Sequence, residues 1–408
     1  MSKWARFGAV SLLAAALVVA VPGVAQAATT PAWVTAALAD QYRLGNSLPL
    51  RDAPWWGTHN SFNSVAEMGP ALSALDPNQN VTITKQLDLG ARQLEIDVHW
   101  VFSLSALLTG FHAPVVCHAL SGGTGCTVEK PLSTVLREIG GWLRAPAHHD
   151  QVLLLYVEDD LQNQTGYQTA GQVIATQLGS LVYRPSGSGC HSMPLSLTRD
   201  QVRAAGAQVI IVTNSCGVGS PISWQSQTFN WSSQHLETQP RSYSDYPTCG
   251  SDFSRAQYDS TMIRYFEELG HLSTLSGAGG FPITPAYAAD MQRCGVDLVS
   301  LDFLKDGDPR LPALVWSWAP NQPSSAGSCT TQGADGRWVA SACTGAFRPA
   351  CRNAAGGWFA AAPAVPASAA ASACAAESGT FDVPRTGYDN QLLHVAAGGV
   401  PVWVNFTH

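Results

Sequence analysis

Two histidines, each closing a short apolar run, are the residues of this chain best suited to chemistry. The first lies in Pro54-Trp55-Trp56-Gly57-Thr58-His59-Asn60-Ser61 and the second in Val116-Cys117-His118. Imidazoles titrate near neutrality and can give or take a proton there. Between them, Gln93-Leu94-Glu95-Ile96-Asp97-Val98 sets two carboxylates two residues apart, which in a strand share one face. Leu94, Ile96 and Val98 read as buried neighbours, so Glu95 and Asp97 call for a cation or a hydrogen-bond network. A fourth segment, Tyr156-Val157-Glu158-Asp159-Asp160, ends a Leu-rich strand in acids. Taken singly, His59 and Asn60 suit a turn and Glu158 an acidic loop. Together, two imidazoles, an amide and carboxylates at strand exits describe a site for metal-assisted acid/base chemistry.

Such residues need a scaffold of strands that all deliver their ends to one face. From about residue 50 to 305, apolar runs at 92–98, 114–117, 151–157, 209–213 and 296–301 alternate with longer segments. The Leu- and Val-rich runs predict strands buried on both faces, as in a parallel sheet. Apolar spacing at 132, 135, 136, 139, 142 and 143 predicts a helix, and 258–269 carries a similar spacing. This alternation predicts an α/β fold of the (β/α)8 barrel type, with a doubly wound sheet as the second choice. By alternation Arg92 points away from the two carboxylates. After residue 311 the texture changes: acids become scarce, Ala and Gly abundant, and five Trp follow. A smaller, β-rich, disulfide-stapled second domain is expected over 313–408, with 28–312 as the barrel. The Ala-rich stretch 359–373 reads as linker or strand-and-loop.

The order T-H-N-S (58–61), G-x-R-x-x-E-x-D (90–97), a strand ending in C-H (117–118) and an apolar strand ending in Glu158 resembles the X-domain of phosphatidylinositol-specific phospholipase C. The resemblance spans roughly 50–305 and implies a distorted TIM barrel. It implies that His59 and His118 flank a phosphodiester while an inositol hydroxyl attacks phosphorus. In the calcium-dependent branch of that family, an Asn after the first His, the E-x-D pair and a later Glu form an oxygen cage. The matching residues here are Asn60, Glu95, Asp97 and Glu158. The metal-free branch has Asp and Arg where this chain has Asn60 and His99, so the resemblance implies calcium as cofactor. Calcium takes six to eight hard oxygen ligands at about 2.3–2.6 Å, and these four residues supply at least four. Asp302, ending the last apolar strand, either orients His59 or serves the fold.

Composition narrows the remaining readings. With 46% hydrophobic residues the chain is not a disordered one, and a net charge of −7 without a basic run excludes nucleic acid as its main partner. Lys3 and Arg6, the apolar stretch Ala9 to Ala20 and Ala25-Gln26-Ala27 read as a secretory signal peptide over 1–27. Ten cysteines, six before residue 300 and four after it, then predict disulfides within each domain of an extracellular protein. Cys117 and Cys126 flank a Gly-rich turn and are expected to close it. The second domain, with a W-x-x-x-x-P, Cys, G-x-W, Cys, Cys order, faintly resembles a C-type lectin-like module with its halves rearranged. It is read as an accessory unit that packs on the barrel or meets membrane, cell wall or carbohydrate through its Trp residues. The expected substrate is phosphatidylinositol in membrane surfaces. Two alternatives stand beside it: a glycerophosphodiesterase or sphingomyelinase D type of calcium barrel, and a non-catalytic surface-binding protein.

Overall fold

The computed structural model describes residues 28–68, 77–102, 112–118, 130–219, 221–231, 235–237, 246–249, 263–268 and 282–408. Ten strands form the first sheet: β1 (Trp55–Thr58), β2 (Gln93–Phe102), β3 (His112–Val116), β4 (Lys130–Pro131), β5 (Leu153–Asp160), β6 (Val209–Thr213), β7 (Phe229–Asn230), β8 (His235–Glu237), β9 (Ile263–Glu267) and β10 (Leu298–Leu301). Eight of them run parallel in the order β7-β6-β5-β2-β1-β10-β9-β8, while β3 pairs antiparallel with β2 and β4 antiparallel with β3. Among the described residues β7 and β8 do not pair, so the molecule is a distorted α/β barrel with a seam there.

Strand alternation explains how one sequence fills two layers. On β5, Leu154 and Tyr156 join Trp55, Ile210, Val212, Ile263, Tyr265 and Leu298 in the core inside the barrel. Leu153, Leu155 and Val157 face outward onto Val135, Leu136 and Ile139 of the helix Leu132–Leu143 and onto Ile174 of the helix Gln164–Gln177. Both faces are buried, which is why these strands read as unbroken apolar runs. Each such side chain contributes about 1.5–3 kcal/mol on burial. The inner layer closes tightly between β1 and β2. A Cβ on Gly57 would lie 2.1 Å from the Gln93 carbonyl oxygen, so only glycine fits.

One sequence expectation fails here. The helical spacing over 258–269 gives way to a strand, β9, at Ile263–Glu267; 251–262 and 269 lie outside the described residues. Ile263 and Tyr265 pack inside the barrel and Phe266 packs outside it, a two-residue alternation that burial on both sides favours over a helix. Arg92 does point away from the carboxylates, donating to Gln151 Oε1 at 2.7 Å and lying over the Trp142 ring.

The second sheet comprises β11 (Cys329–Gln332), β12 (Trp338–Ser341), β13 (Arg348–Arg352), β14 (Trp358–Ala360), β15 (Thr380–Phe381) and β16 (Val402–Thr407). Its order is β12-β11-β16-β13-β14, with β15 on β13. The Ala-rich stretch is a strand and loop as far as Pro366, but a 3-10 turn at Ala367–Ala369 leads into the helix Ala370–Ala376, whose Cys374 is bonded to Cys351. Disulfides 190–216 and 249–294 tie the first part of the chain and 329–343 and 351–374 the second. Cys117 is disulfide-bonded, and its expected partner Cys126 lies outside the described residues. The same holds for residues 1–27.

The two sheets share one apolar core. Trp318, Trp338, Val402 and Leu393 pack in a single cluster with Val34, Leu38, Met291 and Leu301. The first helix, Ala32–Leu44, is the hub: Asp40 Oδ2 accepts from Trp318 Nε1 at 2.8 Å, and Gln41 Oε1 accepts from the amides of Trp316 and Ser317.

Candidate active site

The turn after β1 is knitted to its neighbours before any chemistry is considered. Thr58 Oγ1 donates to Gln86 Oε1 at 2.6 Å, and Ser61 Oγ accepts from the Glu95 amide at 3.0 Å. Asn60 sits at φ 43°, a left-handed conformation costly for a residue with a side chain and frequent at functional turns. This turn aims His59 at the ends of β9 and β10. Its Nδ1 lies 3.0 Å from Asp302 Oδ1, and its Nε2 lies 3.3 Å from Glu267 Oε1. Burial acts to lower the His59 pKa, but Glu267, Asp302 and Glu95 outweigh it and hold it well above the ordinary value. Asp302 is itself fixed: Asn78 Nδ2 donates to Oδ1 at 3.2 Å, and the Asp302 amide donates to Glu268 Oε2 at 2.8 Å. Arg310 pairs with Glu268 and also donates to the Asp302 carbonyl at 2.7 Å. Burial still pushes Glu268 up to about 7 despite Arg310.

Beside His59 lies a cluster of oxygens. Parallel register sets Glu95 opposite Tyr156 and Asp97 opposite Glu158, so carboxylates of β2 and β5 meet on one face. Glu95, Asp97 and Glu158 each offer an oxygen within 4.8 Å of the others, and Glu95, His59 and Glu267 form a second such group. Burial, then Glu267 and Asp97, raise the Glu95 pKa well above the usual carboxylate range, although His59 opposes them. Burial and Glu158 do the same to Asp97. Glu95 Oε2 is buried and has no hydrogen-bond partner. The Asn60 carboxamide bridges the two groups, one end 3.1 Å from His59 Nε2 and the other 2.8 and 2.9 Å from the Asp97 oxygens. With nitrogen on that side it donates to Asp97; with oxygen there, three oxygens converge in a way that a cation stabilises. The orphaned Glu95 oxygen and the hard-oxygen donors therefore fit a divalent ion such as calcium.

Six of the residues singled out from sequence thus come together: His59, Asn60, Glu95, Asp97, Glu158 and Asp302. His118 stands outside the buried cluster. It is exposed on the turn leaving β3, next to Cys117, whose amide donates to the Asp97 carbonyl at 3.2 Å. Glu267 was not found from sequence because its segment reads as a helix. The signal was present: Ile-Arg-Tyr-Phe-Glu is an apolar alternation ending in an acid, as β5 is. A second pairing also escaped notice, His99 Nδ1 with Asp160 Oδ2 at 3.1 Å, one rung beyond Asp97 and Glu158.

A barrel of parallel strands with an imidazole–carboxylate site at their C-terminal ends is the class of protein defined so far. A family model described as Rv2075c PI-PLC-like domain matches residues 14–308, and the chain belongs to that family. It is 40% identical over 401 residues to the uncharacterized protein Rv2075c of Mycobacterium tuberculosis H37Rv, a match covering 92% of this chain and 80% of that one. Solved structures that resemble it include the phosphatidylinositol-specific phospholipase C of Listeria monocytogenes (TM-score 0.43, 13% identity, 66% of this chain and 95% of that one). Another is a calcium-dependent phosphoinositol-specific phospholipase C from a Pseudomonas species (TM-score 0.35, 12% identity, 66% and 95%).

Proposed function

We propose that this chain is a secreted phosphodiesterase that cleaves phosphatidylinositol into diacylglycerol and an inositol phosphate, using calcium and two histidines. The observation that carries this reading is His59, gripped at both ring nitrogens by carboxylates beside a cluster of buried oxygens. Asn60, Glu95, Asp97 and Glu158 are the calcium ligands in this proposal. Calcium bound there supplies positive charge that lowers the pKa of a nearby hydroxyl and offsets negative charge on the phosphate.

The side chains divide the remaining work. Asp302, bonded to Nδ1, holds His59 in the tautomer whose Nε2 accepts a proton. That proton comes from the inositol hydroxyl next to the phosphodiester as its oxygen bonds to phosphorus. The bond from phosphorus to the glycerol oxygen breaks, and His118, at the mouth, returns a proton to the departing diacylglycerol. The first product is a cyclic inositol phosphate, which water opens by the reverse proton path. Residues 1–27 are a signal peptide in this reading, 28–312 the catalytic barrel and 313–408 an accessory module. Among the described residues, four disulfides with both cysteines in view and the lack of any helix long and apolar enough to cross a membrane are consistent with export.

The test is head-group release from vesicles of phosphatidylinositol by the purified chain, with calcium and with excess chelator. Inositol phosphate released only with calcium, and lost by several orders of magnitude in His59→Ala and His118→Ala, is the expected result. Full activity in chelator removes the calcium assignment. Release of glycerophosphate or choline instead places the enzyme among the glycerophosphodiesterase or sphingomyelinase D types.

A further inference from the structure

Between the barrel and the second sheet, the proposed reaction leaves a charged cleft unused. It encloses about 390 Å³, within the range of small-molecule sites. One wall comes from the barrel and the segment that follows it: Tyr246, Arg293 near the end of the helix Pro285–Cys294, and Trp316. The other comes from Arg337, in the turn between β11 and β12, and from Gln391 and His394 on the helix Gly387–Ala397. Arg293 lies just before β10, whose opposite end delivers Asp302. The cleft is therefore at the N-terminal ends of the strands, across the barrel from His59.

Its polar groups are only partly matched by the protein. Arg293 is paired with Asp290 at 3.0 Å and lies over the Tyr246 ring at 5.1 Å. No ion pair or side-chain hydrogen bond holds the Arg337 guanidinium among the described residues. Burial lowers its pKa; Asp335 opposes that effect and Arg293 adds to it, so two cationic heads face the same space. Asp335 itself is exposed and already accepts from the Arg337 amide at 3.0 Å. Trp316 and His394 also line the cleft, although Trp316 Nε1 and His394 Nδ1 are themselves buried away from solvent. A cleft that presents two guanidinium groups, one of them without an ion-pair partner among the described residues, is chemically suited to an oxyanion.

We propose that this cleft is a second binding site, for a small molecule carrying a phosphate or carboxylate group received by Arg337 and Arg293. Because both sheets line the site, occupancy clamps them together and raises the unfolding temperature of the whole chain.

Titration calorimetry of the full chain with inorganic phosphate and, separately, with glucuronate tests the proposal. At least one probe should bind, and the one that binds names the class. Arg337→Gln should weaken that binding about tenfold or more, Arg337→Lys should weaken it less, and circular dichroism should show both variants folded. His59→Ala should bind as the wild type does, and Arg337→Gln should keep its activity on vesicles. The proposal is overturned if neither probe binds at millimolar concentration or if folded Arg337→Gln binds like the wild type. Loss of binding in His59→Ala also overturns it, since the ion would then be in the active site.

Discussion

With the proposed calcium site empty, the chain should become less stable as pH rises, and the structure supplies the size of the effect. Glu95 and Asp97 are 1% and 6% exposed, and they offer oxygens within 4.8 Å of each other. Two full charges at that spacing repel by about 3 kcal/mol at an effective dielectric near 20. Glu158, although exposed, is the neighbouring charge that acts most on Asp97. Without a cation the folded chain keeps protons on both: burial above all, with Glu267 and Asp97 acting on Glu95 and Glu158 on Asp97, holds both folded pKa values above the usual range. The folded state then binds more protons than the unfolded one above the unfolded carboxyl pKa. Stability present at low pH is lost as pH rises through the folded values. His59, also raised, acts with the same sign. Calcium displaces those protons, and at a hundredfold excess over its Kd it adds about 2.7 kcal/mol, or about 3 °C for a chain of this size. Calorimetric Tm values in chelator should fall as pH rises above the ordinary carboxylate range, and calcium should restore more at the higher pH. Asp97→Asn should raise the Tm in chelator and abolish the calcium shift. A Tm in chelator that does not fall with this rise in pH, or an equal calcium shift in Asp97→Asn, refutes the reasoning.

Three further outcomes follow from the same geometry. Asp302→Asn keeps a hydrogen bond to His59 but removes the charge that selects its tautomer, so turnover should fall about a thousandfold or more with the fold intact; near-normal turnover would make Asp302 a fold residue only. Glu267→Gln removes a charge that raises the His59 pKa, so the acidic limb of kcat/KM should move to lower pH, and a limb that stays in place excludes that coupling. Gly57→Ala drives a methyl to 2.1 Å from the Gln93 carbonyl and should cost about 3 kcal/mol or more; an unchanged Tm would show that β1 and β2 can move apart.

Local features of this fold were legible and distant ones were not. The shared face of Glu95 and Asp97, the helix at Leu132–Leu143 and the doubly buried β5 all follow from alternation or helical spacing over a few residues. Whether Asp302 orients His59 was open, because 243 residues separate the two and only the β1–β10 ladder brings them together. Glu267 was hidden for a different reason. Its short apolar run fits both a 3.6 and a 2.0 period, and burial on both faces decides between them. His99 and Asp160 meet only through the register of β2 on β5, which no spacing within either strand reveals.

The tie between the first helix and the chain some 276 residues later has a consequence for the order of assembly. Asp40 and Gln41 emerge early from the ribosome, yet the indole and amides they bind are made only after the whole barrel. The floor of the molecule therefore cannot be finished while synthesis is under way. The first helix waits with open partners until residues 316–318 arrive, and that segment acts as the latch.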